Sequence, residues 1–244
     1  MVKKRLKELQ KGNGFFLLKL KKIDLELIRK IVNEHFLKSI NSKYPNLNKN
    51  LSINKYHKIS SKIDHKIMWP VKSRVLPKNM YKNFIKLSFI DNLKKIFGKF
   101  NISDENKFGH GEIIWRIVRP NENNDVGPIH CDKWFWDLNP NHYTPRDCQR
   151  IKCWISLWCK GKNGLQISPG SQLKNFKYKS KFKHGYMKPI FDIRNISLNL
   201  EKQNCVPGTV IIFNDNLLHG GVTNKSLETR VSIEFTMFVK KKNF

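Results

Sequence analysis

Arg150–Cys159 reads RIKCWISLWC, and its alternation decides the class of fold. Successive side chains of a strand point to opposite faces. Ile151, Cys153, Ile155, Leu157 and Cys159 therefore share one face, and Arg150, Lys152, Trp154, Ser156 and Trp158 share the other. Thr229–Val239, TRVSIEFTMFV, repeats the pattern. Its apolar face carries Val231, Ile233, Phe235, Met237 and Val239, and its polar face Arg230, Ser232, Glu234 and Thr236. Each strand has a greasy face that must be covered and a polar face that must meet water or line a polar cavity.

Shorter apolar, β-branched runs lie at 112–118, 164–168 and 209–213, separated by Pro120, Pro128, Pro140, Pro169-Gly170 and Pro207-Gly208. This spacing predicts a sandwich or barrel from about residue 110 onward. The earlier part has another texture. Leu25, Ile28, Ile31, Val32, Phe36 and Ile40 form one stripe of a helix over 24–40, with Asp24 as its N-cap and Ile23 stapled to Ile28. Residues 44–78 are polar and read as loop with short pieces. A second helix is predicted over 79–97, ended by Gly98. We expect a single domain, mainly β with N-terminal helices. Residues 1–109 form a mainly helical support region and 110–244 the core, and the helices cover the greasy faces, burying Ile155 and Ile233.

The chain has 244 residues, enough to bury a core without staples. Its five cysteines, Cys131, Cys148, Cys153, Cys159 and Cys205, are odd in number and contain no CxxC pair. That argues against a disulfide framework and a structural zinc site, and fits a reducing cytoplasmic setting. No apolar run approaches a membrane span, and Phe15–Leu18 is too short for a signal-peptide core. The formal net charge is +28, and residues 1–100 carry 25 Lys+Arg against 6 Asp+Glu. Such charge attracts nucleic acid or anionic substrates. The lysines are mostly scattered, and Asn and Ile are abundant too, so the compositional reading of the charge is preferred.

Residues 127–140, GPIHCDKWFWDLNP, carry the chemistry. If 129–132 are extended, His130 and Asp132 point the same way and Cys131 points opposite. With a third ligand from His219, in LLHGG, they would cap one face of an octahedral ion and leave three positions open. Two imidazoles and a carboxylate suit Fe(II). Arg230 follows eleven residues after His219, with Ser232 beside it on the same strand face. A keto-diacid chelating the iron would need a bidentate cation at its far carboxylate, which arginine supplies with a serine hydroxyl assisting. Each piece alone is weak, since HxD is common by chance and most lone histidines are structural. Their order along the β-rich half is what carries weight.

From Ile113 to Phe238 the chain resembles the phytanoyl-CoA dioxygenase-like family of Fe(II)/2-oxoglutarate oxygenases. The resemblance rests on IWRIVRPNENNDVGPIHCD, KCWISLWCKGKNGLQISPGSQ, PGTVIIFNDNLLHGG and TRVSIEF. Gln172 stands where the family usually has histidine. The resemblance implies a double-stranded β-helix, a cupin-like jelly roll, with helices packed on the major sheet. It also implies Fe(II) held by His130, Asp132 and His219, with 2-oxoglutarate and O2 as cosubstrates. Arg230 would bind the far carboxylate of 2-oxoglutarate, with Ser232 and Trp154 nearby. Arg116 and Arg119 lie where such enzymes often place a substrate or cosubstrate contact, and could equally be surface charges. The carboxylate of Asp132 points to hydroxylation rather than halogenation, on a small or carrier-linked substrate that the basic surface slightly favours as anionic. The cluster Trp134, Phe135, Trp136 and Tyr143 follows the HxD, where a substrate pocket would be built. It could also stack bases, so the rival reading is a β-sandwich that binds polyanions or nucleic acid, including a nucleic-acid-modifying oxygenase. No nucleic-acid-binding signature supports that rival.

Overall fold

The computed structural model describes residues 2–47, 51–183, 186–194 and 196–244. Among these residues, six α-helices occupy α1 (Val2–Lys11), α2 (Lys22–Lys43), α3 (His65–Met68), α4 (Lys78–Phe84), α5 (Ser88–Phe97) and α6 (Asp132–Leu138). The strands are β1 (Phe15–Lys19), β2 (Phe100–Ile102), β3 (Ile114–Val118), β4 (Cys148–Trp158), β5 (Leu165–Ile167), β6 (Lys179–Lys183), β7 (Tyr186–Ile190), β8 (Glu201–Lys202), β9 (Thr209–Asn214), β10 (His219–Gly221) and β11 (Arg230–Lys240). They form mostly antiparallel sheets. A six-stranded sheet runs β1-β9-β4-β11-β2, with β3 also paired to β11; a smaller sheet runs β10-β5-β8, and β6 and β7 make a separate hairpin.

The two long strands pair with each other, Ile233 opposite Ile155 and Glu234 opposite Trp154. Their greasy faces join Ile28, Val32 and Phe36 of α2 and Leu93 and Phe97 of α5 in one hydrophobic cluster. Ile155 and Ile233 are completely buried, each burial stabilising by about 1.5–3 kcal/mol. The opposite face is largely covered as well, with Arg116 at its exposed margin. Trp154, Ile211 and Phe213 pack there against Leu165 and Ile167 of the small sheet. Lys152, Ser156, Arg230, Ser232 and Thr236 are buried in the same layer. The large sheet thus has helices on one side and the small sheet on the other.

Several boundaries differ from the expectation. Asp24 lies inside α2 rather than at its cap, and its buried carboxylate accepts a hydrogen bond from Ser88 Oγ at 2.7 Å, tying α2 to α5. Ile23 is 63% exposed, so no staple forms. The helix expected over 79–97 breaks at 85–87. On one helix Phe84 and Phe89 would point about 140° apart; the break lets both reach the core, where they are 0% and 3% exposed. Residues 51–78 are not peripheral, since Ile53, Tyr56, Met68 and Trp69 are all buried. β1 is an edge strand of the large sheet, its Phe16 and Leu18 on the helical side and Phe15 on the other.

His35 of α2 sits where helix and sheet meet. Trp115 of β3 donates its indole N–H to His35 Nδ1 at 3.0 Å. Burial, helped by Lys38, lowers the His35 pKa to about 4. The unfolded chain then binds a proton that the folded one rejects, so stability is lost as pH falls from about 6.5 toward 4. We expect the melting temperature to drop across that window, and His35→Gln to flatten the drop; an unchanged pH profile would place the acid sensitivity elsewhere.

Candidate metal centre

His130 and His219 face each other across an isolated antiparallel bridge, each backbone N–H donating to the other residue's carbonyl at 2.9 Å. Opposed residues of such a bridge project to the same side. The imidazole centroids lie 4.5 Å apart. His130 Nδ1 is 2.8 Å from the Pro128 carbonyl, and His219 Nδ1 is 2.9 Å from that of Leu217. A carbonyl only accepts, so both Nδ1 atoms carry the proton, and in a neutral ring this leaves the lone pair on Nε2.

Asp132 completes the group, but not from a strand. The extended stretch ends at Cys131, and Asp132 is the first residue of α6. The expectation of one continuous strand is corrected here, and the i, i+2 logic survives because only 130 and 131 need be extended. Cys131 does point the other way, its thiol buried and bonded to the Asn216 carbonyl. Asp132 Oδ1 lies 3.7 Å from His130 Nε2, and Oδ2 lies 3.6 Å from His219 Nε2. Two donors each about 2.1 Å from an ion are about 3.0 Å apart at a right angle and about 4.2 Å apart when opposite. The observed gaps fall inside that bracket and are too long for hydrogen bonds. One ligand atom from each residue lies within 4.8 Å of the others, and Asp132 Oδ2 is buried with no hydrogen-bond partner. The donor set fits a divalent metal ion.

Electrostatics favour forms of Asp132 and His219 that could bind a metal ion. Burial opposes the charge on Asp132, yet Lys152, His219 and His130 outweigh it and hold its carboxyl well below the usual range. Burial first, then the neighbouring His130, lowers His219 to about 4, so it stays neutral. Lys152 Nζ is 3.8 Å from Asp132 Oδ1. Arg116 pairs with Glu234 at 2.6 Å on the same sheet face. Glu234 is lowered to about 2, because Arg116 and Lys152 overcome the effect of its burial.

Arg230 is buried, and its Nη1 donates to the carbonyls of Gly164 and Val222, both at 2.8 Å, and to that of Asn163. Its Nε is buried without a partner. Ser232 and Trp154 are buried on the same sheet face. Other expected contacts fall elsewhere. Arg119 is committed to Asp125 through Nε and Nη2 at 2.9 and 2.8 Å. Trp134 stacks on Tyr178, and Trp136 packs against Phe238 and under the Arg150 guanidinium. These two indoles lie on the sides of α6 that meet the β6–β7 region and the sheet. Between them, Phe135 sets its ring edge-on to His130 at 5.3 Å. Sequence reasoning passed over Phe135 individually and gave Lys152 no role, although the alternation already put Lys152 on the face of Trp154.

Gly220 permits the close approach of the two ligand-bearing segments. A Cβ there would meet Ile129 Cδ1 at 2.8 Å and the Pro128 carbonyl oxygen at 3.0 Å. We expect Gly220→Ala to push β10 off the His130 bridge, cost about 1–3 kcal/mol of stability and weaken metal binding. Wild-type metal affinity by calorimetry would show that the bridge tolerates the methyl group.

A family model described as Phytanoyl-CoA dioxygenase (PhyH) matches residues 56–232. No curated protein matches the chain in sequence. Among solved structures, the chain is similar to the non-heme alpha ketoglutarate dependent carbocyclase SnoK from nogalamycin biosynthesis, with a TM-score of 0.56, 10% identity, and coverage of 97% of this chain and 83% of that one. It is similar to EctD from S. alaskensis with 2-oxoglutarate and 5-hydroxyectoine, with a TM-score of 0.56, 14% identity, and coverage of 93% and 72%. It is also similar to the epimerase SnoN in complex with Fe3+, alpha ketoglutarate and nogalamycin RO, with a TM-score of 0.57, 9% identity, and coverage of 98% and 83%. At these identities the likeness shows the fold. Among the described residues, no helix is long and apolar enough to cross a membrane.

Proposed function

The chain belongs to the phytanoyl-CoA dioxygenase family, and from that premise we propose that it is a non-haem Fe(II)/2-oxoglutarate-dependent oxygenase that hydroxylates a C–H bond of a small or carrier-linked substrate. The observation that carries the reading is the convergence of two imidazole Nε2 atoms and an unpartnered buried carboxylate oxygen on one point. In this reading the large and small sheets are the two layers of a double-stranded β-helix, and the whole chain is one cytoplasmic oxygenase domain.

His130, Asp132 and His219 would hold the iron, which when bound supplies the one-electron and dioxygen chemistry that side chains lack. The Pro128 and Leu217 carbonyls fix both imidazole tautomers. Arg230 is anchored through Nη1, so its remaining donors are presented rigidly to the far carboxylate of 2-oxoglutarate, with the Ser232 hydroxyl beside them. Trp154 and its apolar neighbours keep water from that carboxylate. Phe135 walls the substrate side next to His130. The carboxylate of Asp132 fills the ligand position that halogenating relatives leave open, which favours transfer of hydroxyl.

The test is to incubate the protein with Fe(II), 2-oxoglutarate and O2 and to measure succinate against a metal-free control. A metabolite panel then identifies the substrate as the compound that gains one oxygen atom. Succinate no higher than in the control would refute the oxygenase reading. A rearranged product without added oxygen would retain the oxygenase and refute hydroxylation.

A further inference from the structure

Lys152 lies beside the metal centre, where it helps keep Asp132 and Glu234 ionised, and the mechanism above gives it no ligand. It is 8% exposed, in the middle of β4, with its ammonium 3.8 Å from Asp132 Oδ1. Among the described residues its ammonium makes no hydrogen bond. An ammonium has three donors and, once buried, needs acceptors. The other acids near it are engaged: Glu234 takes the Arg116 guanidinium at 2.6 Å, and Glu105 takes the hydroxyls of Ser103 and Thr236 at 3.2 and 3.3 Å. Asp132 is left, and it is a metal ligand in the reading above. Once that carboxylate is shared with an ion, Lys152 is a buried cation with its hydrogen-bonding capacity unfilled.

Its place along the sheet says which molecule could fill it. Lys152 is opposite Thr236 on β11, six residues along that strand from Arg230. The offset separates their backbones along the strand, and the two side chains meet different groups: Lys152 reaches Asp132, while Arg230 is anchored to the Gly164 and Val222 carbonyls. The triad lies at the Lys152 end. A five-carbon diacid chelating the ion would direct its far carboxylate to Arg230 and away from Lys152, so the anion that meets this ammonium is not that carboxylate.

We propose that Lys152 is the anion-recognising residue of the primary-substrate subsite, and that the substrate carries a carboxylate, sulfate or phosphate group within reach of the metal. The inference rests on the oxygenase reading for the direction in which the cosubstrate extends. Arg116 does not compete for this role, because Glu234 already neutralises it. A lysine suits the task better than an arginine here, since a compact ammonium on a flexible stem accepts an anion in several orientations.

The experiment compares two probes of one skeleton, hexanesulfonate and hexanesulfonamide. A sulfonate ligates metals poorly, so the charge is read without competition from the iron. Binding is measured by calorimetry on anaerobic, Fe(II)-loaded protein with and without 2-oxoglutarate, so no turnover intervenes. For the wild type we expect at least a ten-fold preference for the sulfonate. Lys152→Met should reduce it to two-fold or less, Lys152→Arg should retain most of it, and 2-oxoglutarate affinity should change less than two-fold in either variant. No preference in the wild type, or a preference that survives in Lys152→Met, overturns the proposal. So does a loss of 2-oxoglutarate affinity in Lys152→Met, which would make the lysine a cosubstrate contact. Lys152→Gln serves if the methionine variant does not fold, and the wild-type comparison stands without either. If 2-oxoglutarate fails to bind the wild type while the lysine-dependent sulfonate preference holds, the oxygenase reading falls and the anion subsite remains.

Discussion

Replacing Asp132 with alanine will abolish succinate formation from 2-oxoglutarate while leaving the fold in place. Two effects act together. The first is loss of one of three protein ligands. Removing only a group that orients a ligand typically weakens metal binding ten- to a hundred-fold, so removing the ligand itself should cost more than about 100-fold. The second is electrostatic. Asp132 lies within 4 Å of His130, His219 and Lys152, and without its carboxylate only the buried ammonium faces an incoming cation. The fold should survive because Asp132 opens a short helix whose packing comes from Trp134 and Trp136, not from the carboxylate. Asp132→Asn separates the two effects, since it keeps the shape and one oxygen donor and removes only the charge; it should retain some metal affinity where alanine retains none. Metal titration by calorimetry and succinate release read the two quantities independently. Wild-type turnover in Asp132→Ala would remove Asp132 from the site.

The candidate ligand set was legible in the sequence because metal chemistry constrains residue type and order so strongly. His130, Asp132 and His219 do converge, although the local structure carrying Asp132 was expected to be strand and is the start of a helix. The alternation of the two long strands identified both faces as far as Leu157; the irregularity at Val231/Ser232 then puts Trp158 on the helical side beside Arg29 and Cys159 with Trp154, the reverse of the expectation. Alternation could not say what covers the polar face. That depends on β5, a strand of three residues whose pairing with β10 is decided by tertiary packing. Short range also explains the misplaced aromatics. Trp134, Phe135 and Trp136 are indistinguishable by composition, and only the helical turn of about 100° per residue sends Phe135 to His130 and the two indoles elsewhere. Arg119 looked like its neighbour Arg116, but Asp125, six residues on, captures it. The β6–β7 hairpin went unread because its strands, Lys179–Lys183 and Tyr186–Ile190, lack the apolar alternation of a buried strand.

Arg230→Ala should lower 2-oxoglutarate affinity by about thirty-fold to several thousand-fold, the usual cost of about 2–5 kcal/mol for truncating one side of a buried charge pair. The structure sharpens this expectation. Nη1 is committed to the carbonyls of Gly164, Val222 and Asn163, so the arginine also clasps the loop before β5 to the end of β10. Its removal leaves those carbonyls without a donor, and the variant should therefore melt at a lower temperature as well as bind the cosubstrate poorly. Loss of the clasp alone would weaken every ligand of the site together. Loss of the carboxylate partner should spare the metal, because His130, Asp132 and His219 are held by their own bridge and carbonyls. Arg230→Lys divides the roles further. An ammonium can reach one or two carbonyls but cannot also offer a second donor in a fixed fork, so stability should recover more than cosubstrate affinity. The orphaned Nε is the reason to expect this order, since a clasp alone would not require a buried donor left without an acceptor. Anaerobic titration of the metal-loaded variants with 2-oxoglutarate, run beside thermal melts, gives both quantities. If Arg230→Ala binds 2-oxoglutarate within two-fold of wild type, the arginine is a clasp and the far carboxylate is held elsewhere.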